Sequence, residues 1–195
     1  MKIFREVVIT VLIAVAVFAV LRLTVQSYTV VMSSMEPNFQ QGECIMVNKV
    51  SYRSSAPQRG QVIIFDPPFD SPHPYIKRVI GLPGETVEIQ DGQVSINDIP
   101  IDEPYIFPEP PQNNQDYGPK VLSDDEYFVL GDNRNNSNDS RAGWTVPRDN
   151  IIGRAWFIYW PPSRWGIVKH YSYAGLPVLE EKETALSQSL GVQFE

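Results

Sequence analysis

Thr86-Val87-Glu88-Ile89-Gln90 and Gln93-Val94-Ser95-Ile96-Asn97 alternate apolar and polar residues on either side of Asp91-Gly92. Alternation has the two-residue period of a half-buried strand. Asp-Gly supplies the left-handed backbone that a two-residue hairpin turn requires. The stretch therefore predicts a β-hairpin, and the runs around it follow the same pattern. Glu43 to Val50, Gly60 to Phe65, Glu126 to Leu130 and Ile151 to Tyr159 are short β-rich runs bounded by Gly, Pro or Asp. The 17 prolines concentrate between Pro67 and Pro119, which favours loops, edges and irregular strands over long helices. Pro100 to Pro119 is polar and proline-rich, and it reads as a long excursion or cap rather than core. No internal repeat stands out. Beyond Thr24 the chain is mainly β.

The exception lies at the start. Val7 to Leu23 (VVITVLIAVAVFAVLRL) is interrupted only by Thr10 and Arg22. A spanning helix wants about 20 apolar residues, with about 17 as the low end. Arg5 and Arg22 can snorkel toward the two interfaces. The rival reading, a cleaved secretory signal, wants a shorter apolar core and a small-residue site after it. Downstream, LTVQSYTVV offers no A-x-A site, so an uncleaved anchor is expected. Lys2 and Arg5 on the short side place the N-terminus in the cytoplasm by the positive-inside tendency, and the body outside.

Composition narrows the chemistry. The chain has 195 residues, 43% hydrophobic and 20% charged, enough for one domain with a sizeable core. The formal net charge of -7, with no basic cluster, argues against a nucleic-acid partner. Cys44 is the only cysteine, so neither an intrachain disulfide nor a CxxC-type metal site can form. His73 and His170 sit in no recognisable catalytic pairing, which leaves lysine as the leading candidate base for a nucleophilic serine.

Three polar blocks carry candidate chemistry. Ser34-Met35-Glu36-Pro37 follows the apolar segment closely. Alone it reads equally as a turn or cap. Tyr75-Ile76-Lys77-Arg78-Val79-Ile80 is strand-like, with Lys77 on the face of Tyr75 and Val79 and Arg78 on the other. A solvated strand lysine is the plain alternative. A free lysine has a pKa of ~10.4, and an apolar pocket can lower that by up to ~3–5 units. Gly131 to Arg141 is eleven residues without an apolar side chain, carrying two arginines and two aspartates. It reads as a polar turn or as a hydrogen-bonded platform.

Taken together and in order, the blocks resemble bacterial type I signal peptidase, a membrane-bound Ser–Lys protease. Ser34-Met35-Glu36-Pro37 matches S-M-x-P, and Lys77-Arg78-Val79-Ile80-Gly81-Leu82-Pro83-Gly84 matches K-R-x-x-G-x-P-G. Gly131-Asp132-Asn133-Arg134 through Ser137 and Asp139-Ser140-Arg141 matches G-D-N-R-x-x-S-x-D-S-R. The resemblance spans about residues 7 to 160. It implies a mainly β, signal-peptidase-like catalytic body with a hairpin and cap insertion, preceded by one transmembrane helix. It implies Ser34 as nucleophile, Lys77 as general base and Ser137 as the group that orients the lysine amine. Arg78, Asp132, Asp139 and Arg141 would support the site, with Asp139 paired to Arg141 or to Arg78. The Ser34 N–H would serve an oxyanion hole. Val30, Met35, Tyr75 and Ile76 would line a groove for an extended peptide with Ala at two alternate positions. The implied partners are signal peptides of secretory preproteins and the lipid bilayer, with no metal or cofactor.

The expected organisation is a cytoplasmic stub (1–6), an anchor in the cell membrane (7–24), an extracytoplasmic body (25–175, with the insertion at 84–121) and an acidic tail (176–195). Four positions depart from the family pattern: Met32, Asn38 after Pro37, Gln61 after Gly60, and Gly143-Trp144 in reversed order. Met32 stands where relatives carry Ser or Gly, so no side-chain hydroxyl is available there for an oxyanion. Losing such a donor can cost ~10²–10³ in rate when nothing replaces it. A tethered peptide-binding module without turnover is the alternative function, and a self-cleaving regulatory Ser–Lys protease is a further one. The four tryptophans, Trp144, Trp156, Trp160 and Trp165, read as core packing or as membrane-interface residues.

Overall fold

The computed structural model describes residues 2–106 and 115–173. The acidic tail at 176–195 and the middle of the Pro100–Pro119 excursion lie outside the described residues.

Helix α1 (Lys2–Thr24) contains the apolar run, with a mean hydropathy of 2.7 in its most apolar window. It packs none of that window against the rest of the chain. At ~1.5 Å per residue its 23 residues reach ~34 Å, against ~30 Å of bilayer hydrocarbon. Strand β1 (Val25–Thr29) begins at the next residue, with no intervening loop.

The body holds two antiparallel sheets. The strands of the larger are β1, β2 (Cys44–Asn48), β3 (Val62–Phe65), β4 (Tyr75–Gly81), β9 (Glu126–Leu130), β10 (Val146–Pro147), β11 (Ile151–Trp160) and β12 (Gly166–Ile167). Their order is β1-β2-β11-β3-β4-β9-β10, with β12 also on β11. The long β11 is shared: β2 takes Arg154 to Trp160, while β3 and β12 divide its other edge. Val62 to Phe65 is buried at every position, so β3 presents apolar residues to both faces, as a central strand must.

The smaller sheet has the order β7-β6-β5-β8: β5 (Thr86–Gln90), β6 (Gln93–Ile96), β7 (Ile99–Pro100) and β8 (Tyr117–Val121). The expected hairpin is β5–β6, with Val87 opposite Ile96 and Ile89 opposite Val94. Asp91 and Gly92 both have positive φ, 49° and 81°, as a primed two-residue turn requires. Its buried face joins Ile80, Leu122, Phe128 and Leu130 in one apolar cluster, which welds the two sheets together.

Two features differ from the sequence reading. The Pro100–Pro119 excursion contributes a strand at its far end: β8 pairs with β5, at the sheet edge where its proline costs no ladder bond. Its near end, Ile101 to Ile106, is anchored by buried Ile101, Glu103 and Tyr105. The tryptophans also divide. Trp144 sits among Phe65, Phe69 and Tyr75, whereas Trp156, Trp160 and Trp165 are exposed on or beside β11 and β12.

Candidate active site

Ser34 lies in a turn (34–38) just past the end of β1. The Phe39 N–H donates to the Met35 carbonyl, and buried Met35 and Phe39 plug the turn into the core beside Val30, Ile45 and Ile64. The Gly131–Arg141 platform grips the turn from the opposite side. The Asn133 N–H donates to the Ser34 carbonyl at 3.0 Å, and the Asn136 side chain donates to the Ser33 hydroxyl at 2.8 Å. Gly131 permits this approach: a Cβ there would lie 2.3 Å from Ser137 Oγ and 2.5 Å from the Ser34 carbonyl oxygen.

Lys77 comes from the middle of β4, opposite Ile63 on β3. It is buried, and its Nζ donates to Ser34 Oγ at 2.7 Å and to the Ile76 carbonyl at 3.1 Å. The Tyr75 ring centroid lies 5.2 Å from the same Nζ. Burial lowers the lysine pKa to about 8, although the charges of Asp139 and Asp132 pull the other way. At that value about one molecule in ten carries a neutral amine at pH 7, against roughly one in a few thousand for a free lysine.

Arg78 points to the other side of β4. Its guanidinium forms a two-pronged pair with Asp132, at 2.8 and 2.7 Å, and stacks over Tyr105 at 4.1 Å. Asp139 takes Arg141 instead, at 2.8 and 3.0 Å, and also accepts the Gly131 N–H at 3.1 Å. Burial pushes the Asp139 carboxyl up, but Arg141 and the Gly131 N–H hold it below the usual carboxylate range. Arg134 is buried against Glu103 and donates to the Gly131 carbonyl at 3.0 Å. These ion pairs are mutually braced, so the platform is a rigid polar block and not a solvated loop.

A cleft of about 440 Å³ runs up to Ser34 and Lys77. Val30, Tyr75 and Ile76 line it. Met35 does not: it is fully buried among the residues beneath, because the turn folds its side chain inward. Met32 stands on the cleft wall, 59% exposed. The described residues of the Pro100–Pro119 excursion line no part of the cleft; Glu103 and Tyr105 instead brace Arg134 and Arg78. Ser137 Oγ is shielded from solvent beside Gly131, helps to hold the Asp139 carboxyl low, and makes no hydrogen bond to the Lys77 amine, so that expected bond is not formed. Among those residues no acceptor takes the Ser34 N–H. Nor do any three His, Cys, Asp or Glu gather as a metal site.

Sequence reading missed the cleft walls at Tyr28–Thr29 and Ser71–Pro74, and the inward-facing Asn38, Glu103 and Tyr105. The alternation in Ser27 to Val30 was a usable signal for the first wall. Nothing local marks the others.

The family model described as signal peptidase, peptidase S26, matches residues 3–160. A probable signal peptidase I-1 of Synechocystis sp. is 45% identical over 148 residues, covering 72% of this chain and 74% of that protein. Signal peptidase I of Leptolyngbya laminosa is 44% identical over 140 residues, 68% of each chain. Signal peptidase IB of Staphylococcus aureus is 34% identical over 166 residues, 77% of this chain and 86% of the other. A crystal structure of a signal peptidase I from Enterococcus faecalis V583 aligns with a TM-score of 0.45 at 33% identity, over 51% of this chain and 97% of the other. The sequence matches make the chain a serine endopeptidase. It belongs to the signal peptidase family, peptidase S26.

Proposed function

We propose that this chain removes N-terminal signal peptides from exported preproteins, with Ser34 as nucleophile and Lys77 as general base. The 2.7 Å bond between Lys77 Nζ and Ser34 Oγ at the end of the cleft carries this reading. The neutral amine takes the Ser34 proton as Oγ attacks the scissile carbonyl carbon, and the lysinium then returns it to the leaving amine. Water attacks the resulting acyl-enzyme as Lys77 takes its proton, and the lysinium returns that proton to Ser34 Oγ as the acyl–oxygen bond breaks. The uncommitted Ser34 N–H supports an oxyanion site made from backbone, which suits a chain with Met32 nearby. The shielded Ser137 hydroxyl, beside Asp139, supports a role in orienting the lysine amine. The cleft, flanked by Val30 and the Tyr75–Ile76 end of β4, suits an extended peptide that inserts alternate small side chains.

The anchor reading assigns 1–6 to the cytoplasm, 7–24 to the membrane and the body from 25 onward to the outer side. Exposed Trp156, Trp160 and Trp165 support a body that rests on the bilayer interface. Enzyme and substrate then share one surface, which raises their effective concentration.

The test uses the full chain in detergent micelles and a preprotein with an A-x-A site. Cleavage after the second Ala, abolished in Ser34→Ala and in Lys77→Ala, is the expected result. Cleavage retained by either variant overturns the dyad. A folded wild-type chain that binds the preprotein without cutting it overturns the peptidase assignment of this cleft.

A further inference from the structure

Four segments of the chain meet at Asn38, the last residue of the turn that carries Ser34. Its Nδ2 donates to Asp132 Oδ2 at 2.8 Å and to the Tyr105 carbonyl at 2.8 Å. A side-chain amide has two N–H donors, so both are spent on protein acceptors. Its own carbonyl accepts from Arg164 Nη2 at 3.1 Å, and Arg164 is in turn paired with buried Glu43. Asp132 has no exposed surface and is the two-pronged partner of Arg78, which follows Lys77 directly in β4. Asn38 thus joins the strand of the lysine to the turn of the serine, 43 residues apart in sequence.

We propose that Asn38 is a positioning residue for the Ser34–Lys77 pair: its two N–H groups lock the serine turn to the Asp132–Arg78 pair and to the Tyr105 strap, and so set the distance between the two side chains. The inference rests on the dyad reading above. Asn38 is absent from the residues lining the cleft, so it acts through Ser34 and not on substrate. Rates of positioned reactions are steep in geometry: a ~1 Å misplacement can cost ~10²-fold. A loosened turn would also admit water to Lys77, whose low pKa depends on dry surroundings.

Asn38→Leu removes both donors and keeps the branched shape, and Asn38→Asp keeps the size but aims acceptors at Asp132. Preprotein cleavage by the full chain in micelles is measured from pH 6 to 10, separating kcat from KM, with thermal unfolding in parallel. Both variants should lose ~10- to ~100-fold in kcat with little change in KM. In Asn38→Leu, which adds no charge, the acid limb of kcat should also move to higher pH. A purely structural role would lower the unfolding temperature and leave that limb in place. Wild-type kcat and limb in folded Asn38→Leu overturn the proposal, as does a loss that tracks only the unfolded fraction. If Asn38→Leu does not fold, Asn38→Ser, too short to reach both acceptors, is read in its place. Wild type and Ser34→Ala run in the same assay: cleavage by the first and not the second holds the dyad whatever the Asn38 variants do, and a silent wild type sinks the dyad reading itself.

Discussion

Lys77 and Arg78 are neighbours in sequence and face opposite sides of β4, Lys77 onto Ser34 and Arg78 onto Asp132. One cation is kept without a carboxylate partner in direct contact, and the other is given two carboxylate oxygens. Strand alternation alone separates a titratable amine from a permanently charged guanidinium one residue away.

The first consequence concerns pH. The folded-state pKa of Lys77 is about 8, below its unfolded value of 10.5. Below pH 8 both states are protonated and the buried charge costs stability in full. Between pH 8 and 10.5 the folded state gives up its proton while the unfolded state keeps one, so stability rises with pH. The difference corresponds to about 3 kcal/mol. Lys77→Met should therefore be more stable than wild type at pH 7, and the gap should close by pH 10.5; urea unfolding at several pH values measures it. Wild-type cleavage should climb with pH through about 8, and a flat profile from pH 5 to 9 would count against a lysine base.

Gly131→Ala should harm activity more than stability. Its Cβ would meet the Ser34 carbonyl oxygen at 2.5 Å, a backbone atom that cannot yield without moving the turn. Overpacking of this kind costs about 1–3 kcal/mol. Cleavage should fall by more than ~10-fold as the turn shifts. Unchanged kcat in a folded Gly131→Ala protein would contradict the close approach.

Asp132→Leu leaves Arg78 buried and unpaired, which typically costs about 3–5 kcal/mol. Replacing both partners, Arg78→Met with Asp132→Leu, should recover most of that loss. Chemical unfolding of the two singles and the double provides the cycle. Additive losses in the double variant would show that the pair is not coupled.

The exposed tryptophans give a spectroscopic readout. In vesicles carrying brominated lipids, the fluorescence of the full chain should be quenched, and Trp156→Phe, Trp160→Phe and Trp165→Phe together should remove most of the quenchable signal. Trp144, held among Phe65, Phe69 and Tyr75, should contribute little. Emission unaffected by bromolipid would place these rings away from the bilayer.

Much of this was readable in advance wherever the deciding interaction is local. Asp91-Gly92 carries its own turn, α1 carries its own length and hydropathy, and alternation assigns Lys77 and Arg78 to opposite faces. The losses fall where partners are chosen in three dimensions. Asp139 had Arg141 and Arg78 as alternative partners, and only the approach of the platform to β4 gives Arg141 to Asp139 and Asp132 to Arg78. Met35 reads as a groove residue until the turn directs it into the core. Tyr117 to Val121 carries Gly118 and Pro119, which hide a strand that lies at a sheet edge, where those residues do little damage.

The direct passage from Thr24 into Val25 has a mechanical meaning. With α1 in a bilayer, no slack separates the helix from the strand that walls the cleft. A change in the tilt of the helix would reach that wall without a loop to absorb it, and Arg5 and Arg22 at the ends of the apolar run are the anchors that would set the tilt.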